Sequence, residues 1–66
     1  MNLGKSIKIA FINEGGNQKK LAEYLKVSQV TVSSWIKGKT APNAFQIAQM
    51  AVYFDMKVSS FIELGE

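Results

Sequence analysis

Apolar positions recur along this chain at intervals of three and four residues, the spacing of one face of an α-helix. Leu3, Ile7, Ala10 and Phe11 form the first stripe. Residues 5–12 also alternate weakly, as a strand would, but the helical period fits the longer stretch. Gly15-Gly16 close it, since glycine suits a helix C-terminus. Asn17 is an N-cap residue for a second helix, Gln18–Lys26, with Leu21, Ala22 and Leu25 on its apolar face. After a turn at Val27, Ser28 caps a third helix, Gln29–Lys37, in which Val32, Trp35 and Ile36 share a face. Gly38 ends it, and Lys39-Thr40-Ala41-Pro42 form a loop. Asn43 with Gln46 three residues later reads as a capping box. It opens a fourth helix to about Phe54, with Ile47, Ala48, Met50, Ala51 and Phe54 available for burial. Asp55–Lys57 turn the chain into a last short helix, Val58–Leu64, with Phe61 and Ile62 inward. The pattern predicts an all-α fold of five short helices in one domain, residues 1–66.

Composition narrows the chemistry. With 66 residues the chain holds one domain at most, and such a short chain buries a modest share of its surface. It has neither cysteine nor histidine, so disulfide, thiolate and imidazole chemistry are unavailable. Neither a metal nor another cofactor is expected, nor is a small-molecule ligand or an enzymatic activity. A Ser33–Lys37 pair at i, i+4 has no further polar partners that would make it a catalytic couple. No run of apolar residues is long enough for a signal peptide or a membrane span, so the cytoplasm is the expected compartment.

All eight cations are lysines, and they are not evenly spread. The first forty residues hold seven lysines against two acids, +5, and the remainder one against three, −2. Such asymmetry fits a polyanionic partner.

The stretch Gln18–Gly38 is the most informative. Two short helices meet at a turn of about three residues, and the first carries a small residue, Ala22, where a neighbour must come close. The exposed face of the second is rich in uncharged hydrogen-bonding groups and leads into a lysine-bearing loop. That combination suits a helix-turn-helix, whose second helix enters the DNA major groove.

The segment NQKKLAEYLKVSQVTVSSWIKGKTAPN resembles the helix-turn-helix of the Cro and phage-repressor family. FQIAQMAVYFDMKVSSFIE is similar to that family's fourth and fifth helices, so the resemblance runs over residues 3–62. It implies a compact five-helix, lambda-repressor-like DNA-binding domain with its motif at about 18–37. By position it implies base contacts from Gln29, Val30, Thr31, Ser33 and Ser34. Contacts to the DNA backbone are implied for Asn17, Gln18, Lys26, Ser28, Lys37, Lys39 and Thr40, with Gln18 also bracing Gln29. The turn before the last helix and that helix itself, through Met56, Val58 and Phe61, are implied as dimer contacts.

The sequence departs from the family pattern at three places. Where relatives commonly carry glycine in the motif turn, this chain has Lys26, and where they carry a second glycine it has Asp55. Where many pair an arginine with a glutamate, it has Phe11 and Ile36. Both members have become apolar together, so a hydrophobic contact is expected in place of the ion pair. Such a replacement is often neutral or stabilising, because no ions need be desolvated.

The resemblance implies a sequence-specific transcriptional regulator, a Cro-like repressor of phage or prophage type, bound to a double-stranded DNA operator as a homodimer. The short chain leaves no room for a separate sensor domain, which fits Cro-like regulators better than full-length repressors. An antitoxin or a restriction-modification controller of the same fold is the near alternative, and a protein-interaction module is the one outside the class. A membrane-active basic peptide would need one continuous amphipathic helix, which the interior glycines and caps break up. Without arginine, the commonest contact to guanine is absent. Gln29 toward adenine, with Val30 and Thr31 toward thymine methyl groups, gives an expected lean to A·T pairs.

Overall fold

The computed structural model describes residues 2–66. Among them are five helices: α1 Leu3–Glu14, α2 Gln18–Leu25, α3 Gln29–Lys37, α4 Ala44–Tyr53 and α5 Val58–Glu63. The first four begin where the sequence provides a cap. Asn2 Oδ1 accepts the Lys5 amide at 3.0 Å, and Asn17 Oδ1 accepts the Lys20 amide at 2.9 Å. Ser28 Oγ accepts the Thr31 amide at 3.1 Å. At α4 the capping box is complete, with Asn43 and Gln46 exchanging bonds of 2.8 and 2.9 Å. Each such cap satisfies an amide that the helix leaves without a partner. The weak strand alternation over residues 5–12 is overridden by the core stripe of α1.

Three helices end in one geometry. The Val27 amide reaches the Ala22 carbonyl at 3.0 Å while the Lys26 amide reaches Glu23. Lys39 and Gly38 do the same to Ser34 and Trp35, and Met56 and Asp55 to Ala51 and Val52. Each is a Schellman turn, which places one residue in the left-handed region. Those residues are Lys26 (φ 59°), Gly38 (φ 79°) and Asp55 (φ 57°). The two glycine positions that this chain has replaced therefore keep the glycine conformation. In consequence α2 stops at Leu25, one residue short of the expected Lys26, and α4 at Tyr53.

The core is one cluster, contributed by all five helices: Ile7 and Ala10, Leu21, Ala22 and Leu25, Val32 and Trp35, Met50 and Ala51, Phe54 at the end of α4, and Phe61. Phe54 is its aromatic hub, edge-on to Phe11 at 5.6 Å and to Tyr53 at 5.1 Å, and stacked on Phe61 at 5.9 Å. Edge-to-face and offset pairs at these separations favour the ring quadrupoles. Phe11 and Ile36, the positions where an ion pair was expected to have become apolar, are both half-buried against this cluster. Off the core stripe of α1, Ile12 is 82% exposed and Ile9 half-buried.

Two close approaches escape the sequence pattern. A Cβ on Gly4 would stand 2.5 Å from the Ile36 carbonyl oxygen and 2.8 Å from that of Trp35. α1 therefore touches the last turn of α3 backbone to backbone. Gly65 is similarly pressed against the Asn2 carbonyl and the Ser6 hydroxyl. Ser6 is fully buried and donates to the Ile62 carbonyl at 3.4 Å, which joins α1 to α5.

Two stability measurements follow from this geometry. A left-handed lysine costs on the order of 1 kcal/mol that glycine avoids. Lys26→Gly should therefore raise the midpoint of thermal unfolding by roughly 4–8 °C per kcal/mol gained. At Gly4, helix propensity favours alanine by about 1 kcal/mol. Overpacking against backbone that cannot swing aside costs about 1–3 kcal/mol. Gly4→Ala should therefore lower the urea midpoint, and a higher midpoint would show that α1 can shift away from α3.

Candidate nucleic-acid interface

α3 is amphipathic in an unusual sense. Its inner face is held by Val32 and Trp35, both buried. Gln29, Val30, Ser33, Ser34 and Lys37 recur at i, i+1, i+4, i+5 and i+8 and share the opposite side. They line one shallow groove of about 330 Å³, which Gln18 from α2 and Lys39 from the following loop complete. No acid lines it. Val30, 74% exposed, stands among polar neighbours. An exposed valine gains nothing from packing within the chain, but its methyl groups offer an apolar contact to a ligand that has one.

The residues expected at a DNA surface divide in two. Gln18, Gln29, Val30, Ser33, Ser34, Lys37 and Lys39 come together in the groove. Asn17, Lys26, Ser28, Thr31 and Thr40 do not line it. Asn17 and Ser28 are occupied as caps, and Thr31 Oγ1 is bonded to Ser28 Oγ at 2.9 Å. The Thr31 hydroxyl is thus committed to the start of α3, leaving its methyl group as the free part of the side chain. Lys26 and Thr40 are exposed beside the two ends of α3.

A second shallow groove is lined by Val52, Asp55, Met56 and Lys57. Val52 is 69% exposed, Val58 is partly exposed and Met56 half-buried. Phe61 requires a correction. It was expected among the dimer contacts, yet it is 0% exposed, stacked on Phe54 in the core. Val58 opens α5 at the rim of the domain, whereas Phe61, one turn further on, reaches Phe54 in the core and so supports α5 from beneath. Val52 was not named at this surface, although the positions of the fourth helix read as available for burial left it out.

Two short helices joined across a tight left-handed turn, the second presenting a polar groove rimmed by lysine, define a helix-turn-helix domain. A family model described as Helix-turn-helix matches residues 7–61. No curated protein and no solved structure matches the chain. The chain belongs to the Cro and phage-repressor type of helix-turn-helix family, a family of DNA-binding transcriptional regulators. Among the described residues, no helix is long and apolar enough to cross a membrane.

Ser28 supports the groove from its end by capping α3. Ser28→Ala should cost about 1 kcal/mol of stability, the usual loss for a serine N-cap. A urea unfolding series should show this, with Ser28→Asp, which restores a cap, recovering most of it.

Proposed function

We propose that this protein is a sequence-specific repressor that binds a double-stranded DNA operator as a homodimer and acts by occupying it. The observation that carries the reading is the groove itself: Gln29, Val30, Ser33 and Ser34 converge on one surface between Gln18 and the lysines Lys37 and Lys39. Glutamine pairs two ways with adenine, serine bonds to either base type, and a valine methyl group meets a thymine methyl. Lysine ammonium groups at the rim neutralise phosphates without reading sequence. Thr31 adds a methyl group near the start of α3, and backbone contacts by Asn17, Gln18, Lys26, Ser28 and Thr40 flank the groove.

A single helix-turn-helix covers one half-site, and a two-fold operator needs two. Val52, Met56 and Val58, apolar side chains that are exposed or half-buried outside the groove, suit the dimer contact. Operator occupancy needs no catalytic group and no cofactor, and it takes place where the chromosome is, in the cytoplasm. A phage or prophage context fits the family resemblance.

Selection from random duplexes should return two-fold symmetric sites whose half-sites lean to A·T pairs. Strictly G·C-rich half-sites would overturn the assignment of Gln29 and Val30. Gln29→Ala should cost about 1–3 kcal/mol on the selected site and relax preference at one base pair. Lys37→Gln should instead weaken all sequences alike and lower the salt slope by about 0.9.

A further inference from the structure

We propose that α1 carries a second DNA-backbone contact, in which Lys5 and Lys8 bind phosphates beyond the helix-turn-helix. The inference rests on the DNA-binding reading and extends its footprint to a helix outside the motif.

Three observations lead to it. First, the start of α1 lies against the last turn of α3. A Cβ on Gly4 would stand 2.5 Å from the Ile36 carbonyl, and Ile36 is followed by Lys37, which lines the groove. Lys5 is the next residue after Gly4, and Lys8 is one turn further along the face on which Gly4 lies. Both are exposed. Each carries a four-methylene stem that lets the ammonium group reach outward.

Second, these cations sit at the end of the helix where folding alone would not put them. The N-terminal end of a helix is the positive end of its dipole, which favours aspartate and glutamate. α1 has no acid in its first turn and carries Lys5 and Lys8 in its first two turns instead. The first carboxylate along α1 is Glu14, at its far end. An arrangement that works against the helix is explained by a partner that is itself a polyanion.

Third, cations already gather at that end of α3. Lys37 and Lys39 line the groove there. Lys5 and Lys8 add two exposed cations on the helix whose backbone touches the same end of α3. Neither is placed to read bases, because α3 occupies the groove, so their contribution is independent of sequence.

The test is the salt dependence of binding by the full chain, measured on the duplex returned by selection and on a short random-sequence duplex. The Lys5→Gln/Lys8→Gln double variant removes both charges and keeps polar side chains of moderate length. Its slope of log affinity against log salt should fall by about 0.9 for each phosphate that is no longer neutralised. The fall should be equal on both duplexes, with the selected sequence preference unchanged. Lys20→Gln, two residues on from Gln18 and so on another side of α2, removes one exposed charge outside both grooves and should leave the slope unaltered. An unchanged slope in the double variant, or an equal fall per charge in Lys20→Gln, overturns the α1 contact. A weakening confined to the selected duplex overturns it too, since it would mean that base reading had been disturbed. If the unsubstituted protein bound neither duplex, the DNA-binding reading itself would fall.

Discussion

Everything in this domain depends on α3 being held from one side. A helix of nine residues is too short to persist alone in water, because nucleation is costly and few bonds follow it. Its conformation is imposed by Val32 and Trp35 in the common core, by the Ser28 cap at one end and by Gly38 at the other. With those fixed, the outer face carries no structural duty. Gln29, Val30, Ser33 and Ser34 are therefore free to be chosen for what they touch outside the chain. No disulfide contributes, so the same small core must both stabilise the fold and aim the groove.

The core has little redundancy. Phe54 alone meets Phe11 from α1, Tyr53 from α4 and Phe61 from α5. Tyr53 in turn lies against Tyr24 of α2 at 5.1 Å and beside Gly16, before the first turn of α2. A path of aromatic contact thus runs from the last helix to the start of α2, where Gln18 enters the groove. Phe11 and Ile36 add two more apolar side chains to this cluster.

Much of this was legible in the sequence, for a physical reason. Helix starts depend on one side chain bonding an amide two or three residues on, and Asn17, Ser28 and Asn43 each announce it. Core positions recur at the helical period, so Leu21, Val32, Trp35 and Met50 could be assigned without coordinates. The groove residues were legible as the complement of that stripe, together with a family resemblance. What was not legible depended on packing between elements distant in sequence. Nothing local marks Gly4 as the point where α1 meets the α3 backbone, or Gly65 as a contact of Asn2. Nor does spacing tell how deeply each inward residue is enclosed: Phe61 is wholly buried, whereas Ile62 beside it is only half-buried.

The left-handed residue of the motif turn bears on how the fold is assembled. A glycine there visits the left-handed region readily even in the unfolded chain, whereas a lysine rarely does. At Lys26 the reversal between α2 and α3 is thus not seeded by its own backbone. It closes when Leu21, Ala22 and Leu25 on one side find Val32 and Trp35 on the other. In this protein the turn of the motif is held by the packing of its two helices and not by the preference of its own backbone.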